Sequence, residues 1–347
     1  MKQDLLITIS SSLEKLNLME IRKDFSELLS SVKKNKSKNI RLGNGFASVS
    51  KEFLLGELNQ ILETHTIERT KYYIKRLKKS LTETKHSKIN DLNLNRWKEY
   101  DDIITDSLWI LNKRDNSGVH HAGYWGNFIP QIPNQLLRRY TKKGEWILDP
   151  FLGSGTTLIE AQRLGRNAVG VELSKKVLDQ TKKNISKEAD PDKVKLEFVN
   201  GDSASVDLAN VISELNIKSF QFQIFHPPYW DIIKFSNSKS DLSNANSIEE
   251  FLQGFGRVLA NCLPHLDKKR FAAVVISDKY SSGEWIPLGF YVMQEVLKRE
   301  MILKSTIVKN FEETTAKRNQ KELWRYRALA GGFYVFKHEY IFVFQKK

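Results

Sequence analysis

Two glycines and two carboxylates follow apolar runs at spacings that suit the binding of a nucleoside. Gly153 and Gly155 come directly after the apolar run 146–148 and before a helical pattern. Without a Cβ, such a turn lets backbone N–H groups and a helix N-terminus approach a ligand closely. Glu172 and Asp202 end the next two apolar runs. There one carboxylate could accept hydrogen bonds from both ribose hydroxyls, and the other could reach an adenine amino group.

The glycine turn also indicates which nucleotides fit poorly. It lacks the third glycine of the dinucleotide-binding fingerprint, and it lacks the Gly-Lys-Thr of a P-loop. Those two motifs serve ligands that carry a pyrophosphate or a triphosphate. The pattern therefore favours an adenosine-containing ligand without a pyrophosphate over NAD or ATP.

The stretch from Asp149 to Glu172 resembles the cofactor motif of the DNA cytosine-N4/adenine-N6 methyltransferases. Residues 149–157 read Asp-Pro-Phe-Leu-Gly-Ser-Gly-Thr-Thr, and the next strand ends on the acidic residue. The resemblance covers about 117–347, with none identified in the first hundred residues, and it implies S-adenosylmethionine as the cofactor. The run 125–137 is similar to the segment that closes over the methionine end. The residues assigned to the cofactor are Asp149, Pro150, Phe151, Gly153, Ser154, Gly155, Thr156, Thr157, Glu172, Asp202 and Phe128.

A second motif, His226-Pro227-Pro228-Tyr229, follows an apolar run and resembles the catalytic motif of the same family. An exocyclic amine is a poor nucleophile, because its lone pair is delocalised into the base. A polar side chain and the carbonyl of the next proline could hold the nitrogen pyramidal and aligned with the methyl donor. The aromatic residue would stack on a base rotated out of the helix. We predict that these four residues are catalytic.

His226 departs from the resembled family, in which the first position of the motif is Asp, Asn or Ser. A neutral imidazole accepts a hydrogen bond through its unprotonated nitrogen, whereas an imidazolium cannot accept. We therefore expect methyl transfer to fall as His226 becomes protonated. A strand-end histidine in an enzyme that has lost its activity is the alternative interpretation.

The choice of target base stays open at this point. In the resembled family, Ser at the first position usually accompanies cytosine-N4 methylation and Asp usually accompanies adenine-N6 methylation. The following Trp230 leans slightly toward cytosine. Methylation of cytosine at C5 needs a cysteine nucleophile. Cys262 is the one cysteine, and it lies in a helical pattern without the preceding proline that such a motif requires, so this chemistry is excluded.

Alternating strand and helix patterns surround both motifs. Strands separated by helices imply parallel crossovers and a doubly wound sheet. We predict an α/β fold: a Rossmann-like S-adenosylmethionine-dependent methyltransferase domain over 113–347 and a mainly helical N-terminal region over 1–112. His338 and Glu339 are interpreted as a capping pair at the start of the last strand, and no metal site is predicted. The predicted strands lie at 146–148, 168–171, 196–199, 222–225, 271–276, 306–308 and 340–344.

Charge and aromatic residues favour a polyanionic partner. The chain carries 55 Lys and Arg against 41 Asp and Glu, a formal charge of +14, and each phosphate contact releases counterions. Cations alternate with aromatic residues at 69–79 and 309–327, which suits phosphate contact and base stacking. Solvated surfaces are the alternative for both stretches. The residues assigned to nucleic acid are Trp230, Lys317, Arg318, Arg325, Lys75 and Arg76.

The resemblance implies a site-specific methyltransferase of double-stranded DNA, serving restriction–modification or phage defence. About 20 residues separate Asp202 from Phe222, too few for a large recognition domain. We expect recognition to come from residues 1–110, from loops, from a restriction or specificity subunit, or from a homodimer. An RNA base amino-methyltransferase and a catalytically impaired cofactor-binding subunit are the alternatives. No membrane span or signal peptide is apparent, and we expect a cytoplasmic protein.

Overall fold

The computed structural model describes residues 2–40, 48–120, 124–311 and 321–347. The chain forms two compact units, Met1–Ile103 and Ile104–Lys347. Within the described ranges, no helix combines the length and the apolar character that a bilayer crossing requires. The first unit contains α1 Lys2–Glu14, α2 Leu18–Lys34, β1 Asn39–Ile40, β2 Val49–Ser50, α3 Lys51–Leu62, α4 Ile67–Thr82 and the 3₁₀ helix Leu94–Glu99.

The first unit is mainly helical, as the amphipathic pattern predicts. Side-chain oxygens cap three of its helices: Asn17 begins α2, Ser50 begins α3 and Thr66 begins α4, each accepting from a backbone N–H in the first turn. The apolar faces of the helices form one core, in which Phe25 and Leu54 are fully buried. This unit therefore has a hydrophobic core of its own.

The second unit is built on a large sheet flanked by helices. Its strands are β3 Leu108–Trp109, β4 Trp146–Asp149, β5 Asn167–Glu172, β6 Leu196–Asn200, β7 Phe220–Phe225, β8 Leu266–Ile276, β9 Lys279–Ser281, β10 Glu284–Ile286, β11 Met301–Asn310 and β12 His338–Lys346. Its helices are α5 Gln131–Tyr140, α6 Thr156–Arg163, α7 Lys175–Ile185, α8 Leu208–Glu214, α9 Ile248–Cys262, α10 Leu288–Leu297 and α11 Lys321–Gly331, with 3₁₀ turns at Trp230–Ile232, Leu242–Asn244 and Leu263–His265.

Eight strands form the sheet in the order β3-β11-β12-β8-β7-β4-β5-β6. All neighbouring pairs are parallel except the two that involve β12, which runs antiparallel between β8 and β11. The predicted α/β, Rossmann-like architecture is confirmed. In such a sheet the carboxyl ends of the parallel strands meet along one edge, where ligands bind.

Residues 104–112 differ from the predicted organisation, in which they belong to the helical region. They fold with the second unit, because β3 adds to the edge of the sheet as a parallel partner of β11, with Leu108 opposite Val308. Two residues of extended chain give no periodic signal, so this pairing is set by the neighbouring strand and not by local sequence.

Strand side chains alternate between two buried layers. Leu148, Phe225, Val274 and Phe342 belong to one core cluster together with residues of α8, α9 and α10. Alternate strand residues point to the other face, which α5 and α6 cover through contacts with β4, β5, β7 and β8. The central strands β4 and β5 are buried on both faces and are nearly continuous apolar runs, as is usual in parallel sheets.

The turn between β4 and α6 depends on a glycine at its end. Gly155 caps α6 in the left-handed region with φ +79°. A Cβ on this residue would lie 2.6 Å from Thr181 Cγ2 and 2.7 Å from Ile185 Cδ1, both on α7. A side chain at this position would therefore force the α7 side chains that pack against the turn to shift.

We expect Gly155→Ala to cost more stability than Gly144→Ala, its matched control. Gly144 has nearly the same φ, +77°, but open space around its Cβ position. The control carries only the left-handed backbone cost of about 1 kcal/mol, whereas Gly155→Ala adds roughly 1–3 kcal/mol of overpacking. Urea unfolding of both variants measures the difference in the free energy of unfolding. Equal losses would show that α7 does not constrain the turn.

Candidate active site

A cavity of about 910 Å³ opens at the carboxyl ends of β4, β5 and β7. Every residue predicted for the cofactor lines it except Gly155, which shapes the turn through its backbone. All four residues of the tetrapeptide after β7 line the same cavity. The glycine turn and the tetrapeptide, which begins 71 positions after Gly155, therefore line the same cavity.

Glu172, the last residue of β5, ties two loops of the cavity wall together. The Gly153 N–H donates to its Oε2 at 2.9 Å, and the Ser174 N–H donates to its Oε1 at 2.9 Å. Burial raises the pKa of Glu172, and these two backbone donors oppose that rise. A carboxylate has about four acceptor positions, so this one can hold the turn and still accept from a ligand.

Asp149 and Asp202 each accept a hydrogen bond from a backbone N–H two residues further along the chain. Asp149, at the end of β4, is buried and accepts from the Phe151 N–H at 2.9 Å. Burial raises its pKa to about 6, although the hydrogen bond from the Phe151 N–H opposes the rise. Asp202 Oδ1 accepts from the Ala204 N–H at 2.9 Å. Both carboxylates therefore fix loops that border the cavity.

Aromatic residues of the segment before α5 cover the glycine turn. The Tyr124 ring packs against Gly153, where a Cβ would lie 3.0 Å from Tyr124 Cε1, and it stacks on Phe235 at 6.1 Å between ring centroids. Phe128, which is buried, lies 4.6 Å from the His226 ring centroid. This segment thus contacts the cofactor turn and the tetrapeptide together.

His226 begins a chain of hydrogen bonds that ends in a buried ion pair. Its Nε2 lies 3.2 Å from Tyr229 Oη, and the Tyr229 hydroxyl donates to Glu339 Oε2 at 2.9 Å. Lys309 Nζ donates to Glu339 Oε1 at 2.8 Å. Lys309 and Glu339 are 4 % and 7 % exposed, so water screens this pair little.

The environment of His226 moves its protonation well below the usual range. Desolvation lowers the pKa of His226 to about 4, with Glu339 raising it and Lys309 lowering it further. The same burial, with the carboxylate of Glu339, raises the pKa of Tyr229 well above its usual value. The imidazole and the phenol are therefore both neutral around pH 7.

Sequence reasoning missed Glu339 and Lys309 as members of this cavity. Glu339 accepts hydrogen bonds from Tyr229 and Lys309. It is therefore not the capping residue that its place at the start of a strand predicts. A signal was present, because each is a charged residue beside an apolar run, 306–308 and 340–344 respectively. Charged residues on buried strands require partners.

A short hairpin and the segment after α11 complete one wall of the cavity. Tyr280 on β9 stacks on Phe333 at 4.2 Å, and Trp285 on β10 lies 4.1 Å from Phe336. The sequence patterns predict neither this hairpin nor α11.

The residues predicted for nucleic acid lie in different environments. Trp230 donates from Nε1 to the Ala245 carbonyl at 2.9 Å, with Lys279 Nζ 4.2 Å from its ring centroid. Arg325 is exposed on α11. Lys317 and Arg318 lie outside the described residues.

In the first unit, Lys75 and Arg76 follow each other on α4 but differ in their contacts. Lys75 is exposed. Arg76 is half-buried, and its guanidinium donates to both carboxylate oxygens of Glu57 on α3. Its cation therefore already holds α3 and α4 together.

Two family models match the chain. The model described as DNA methylase matches residues 1–183, and one described as RMKL-like, methyltransferase domain matches residues 135–240. The first model includes the helical unit, where the sequence motifs show no resemblance. It extends through the glycine turn and Glu172.

Individual relatives match over shorter stretches. The type II methyltransferase M2.DpnII of Streptococcus pneumoniae is 37% identical over 27% of this chain and 34% of its own length. A candidate ribosomal RNA large subunit methyltransferase of Methanocaldococcus jannaschii is 28% identical over 67% and 56%. The matches thus span only 34% of the first relative's length and 56% of the second's. Magnesium protoporphyrin IX methyltransferase from Synechocystis PCC 6803, solved with bound SAM, aligns at a TM-score of 0.36 and 11% identity over 59% and 71%.

We expect His226 to stay neutral on acidification until about pH 4. Its pKa is lowered, so the imidazole is neutral above that value and gains its proton only as the pH falls through it. Two-bond ¹H–¹⁵N spectra of the seven histidines, with His226→Asn to assign the signal, follow the titration. A midpoint near 6.5 would mean that the ring is solvated.

Proposed function

Because the chain belongs to the DNA methylase family, we propose that it methylates the exocyclic amine of a base in double-stranded DNA. Membership of the family also supports S-adenosylmethionine, predicted from the sequence, as the cofactor. The observation that carries the proposal is the shared cavity, which brings the cofactor turn and the tetrapeptide after β7 to one place.

The residues of the turn fit S-adenosylmethionine. Gly153 has a φ of +50° and lines the cavity, and its lack of a Cβ lets a nucleoside approach the turn closely. Glu172 keeps acceptor positions for ribose hydroxyls, and Asp202 lies in the cavity wall. The cofactor supplies an electrophilic methyl group on a sulfonium sulfur. Phe128 and the turn 151–154 would hold it beside the tetrapeptide.

The tetrapeptide would hold the target amine and keep water away from it. His226 is neutral around pH 7, so one ring nitrogen can accept from the NH₂ group. The Pro227 carbonyl would accept the other N–H, and the Tyr229 ring would stack on the base. Two acceptors favour a pyramidal nitrogen whose lone pair is free to attack. Because the cavity is walled by protein, the base must leave the DNA stack to reach it.

We favour cytosine N4 over adenine N6 as the methylated position, and restriction–modification or phage defence as the setting. The preference for cytosine depends on Trp230 after the tetrapeptide. Sequence recognition would come from the helical unit, from a restriction or specificity subunit, or from a second copy of the chain. The positive charge of +14 supports a nucleic acid as the partner.

RNA is the second candidate substrate. It is favoured by the relative from Methanocaldococcus jannaschii, named for ribosomal RNA, whose match covers 67% of this chain. The same acceptor chemistry serves an exocyclic amine in either nucleic acid. An RNA substrate would still use the turn, Glu172 and the tetrapeptide, so only the nucleic-acid contacts would differ.

Nucleoside mass spectrometry after incubation with labelled S-adenosylmethionine identifies the product. We expect label in DNA as N4-methylcytosine. His226→Asn, which restores a residue of the resembled family, should retain activity within about tenfold, whereas His226→Ala should lose roughly 10²–10³-fold, because one acceptor is removed. Label in RNA alone would transfer the proposal to RNA. Intact cofactor binding without label in either would indicate a catalytically impaired subunit.

We expect Arg325→Ala to weaken DNA binding at low salt and to reduce the slope of log Kd against log salt by about 1, as for the loss of one phosphate contact. Filter binding or fluorescence anisotropy across a salt series measures both. Lys143→Ala is the control, since Lys143 lies between α5 and β4 and pairs with Asp192 at 3.0 Å. Equal slopes for both variants and the wild type would remove Arg325 from the DNA contact surface.

A further inference from the structure

Glu339 and Lys309 form a buried pair on neighbouring strands beside the tetrapeptide. They are opposite each other in the antiparallel register of β11 and β12, with Nζ 2.8 Å from Oε1. The second carboxylate oxygen accepts from the Tyr229 hydroxyl at 2.9 Å. Each oxygen of the Glu339 carboxylate thus accepts one hydrogen bond, from Tyr229 or from Lys309.

This arrangement fixes the direction of every hydrogen bond up to the histidine. A phenol has one proton, and Tyr229 gives it to Glu339. Toward His226 the phenol oxygen can then only accept. The 3.2 Å contact with Nε2 is therefore an N–H···O hydrogen bond, in which Nε2 carries the proton.

A neutral imidazole has one proton, so a protonated Nε2 leaves Nδ1 with its lone pair. Among the described residues, none makes a hydrogen bond to Nδ1 of His226, and the ring lines the cavity. We propose that Glu339 is a positioning residue that fixes the tautomer of His226, so that Nδ1 is the acceptor offered to the target amine. The assignment of Nδ1 to the amine rests on the proposed function.

The cost of burying an ion pair supports a role beyond stability. Two apolar residues of similar size are often at least as stable as a buried pair. Glu339 and Lys309 instead keep two charges almost without water, beside the cavity. Lys309 keeps Glu339 an acceptor, and Glu339 in turn takes the proton of Tyr229. The charged groups that face His226 are these two, from β12 and β11.

Glu339→Gln tests the proposal with almost no change in size. The new amide oxygen would turn to the Lys309 ammonium, leaving the NH₂ group to donate to Tyr229. The phenol would then give its proton to His226 Nε2, and the proton of the imidazole would move to Nδ1. Two-bond ¹H–¹⁵N spectra of the 347-residue chain distinguish the two tautomers directly, without substrate.

We expect the Nε2–H tautomer in the wild type and the Nδ1–H tautomer in Glu339→Gln. Methyl transfer should fall roughly 10²-fold in kcat, since the acceptor is lost, with the Kd for S-adenosylmethionine unchanged. Glu295→Gln on α10, where the native residue pairs with Lys298 and Arg299, is the matched control and should change neither spectrum nor rate. Tyr229→Phe removes the phenol and should yield a mixture of tautomers.

The outcomes separate this proposal from the proposed function. An Nδ1–H tautomer in the wild type, or no change in Glu339→Gln and Tyr229→Phe, overturns the tautomer assignment. A shifted tautomer with unchanged kcat overturns the role of Nδ1 as the acceptor. The expected tautomers in a protein that labels no nucleic acid keep the positioning role of Glu339 and overturn the proposed function alone.

Discussion

The site depends on one carboxylate that accepts from two backbone N–H groups. Glu172 receives the N–H of Gly153 from the turn after β4 and that of Ser174 from the loop after β5. Loops at the ends of parallel strands have no ladder partners of their own, so a side chain must fix their spacing. Because it stands at the end of β5, the same residue sets both the shape of the glycine turn and the edge of the cavity.

Most of the second unit could be predicted because its signals are local. Buried parallel strands are apolar runs, and the glycine turn and the tetrapeptide are each contiguous in sequence. The chain of hydrogen bonds from His226 to Lys309 could not be predicted. It joins β7, β11 and β12, whose pairing is decided by the whole sheet. The low pKa of His226 follows from burial in the same packing. The sequence alone therefore suggests too high a pKa for this histidine.

The two units differ in how clearly their sequences identify them. The motifs after residue 117 contain glycines and prolines whose backbone roles few other residues can fill. The helical unit has only an amphipathic pattern, which many unrelated helices share. The DNA methylase model matches residues 1–183 and so includes the helical unit. No motif within that unit indicates the family.

The antiparallel strand β12 lies between β8 and β11, although it follows both in sequence. Those two strands leave the ribosome first but have no edge to share until residues 338–346 arrive. Glu339 lies on β12. The carboxylate that faces Tyr229 and Lys309 therefore joins the site only when β12 pairs with its two neighbours. One strand insertion thus couples the continuity of the sheet to the order of the histidine.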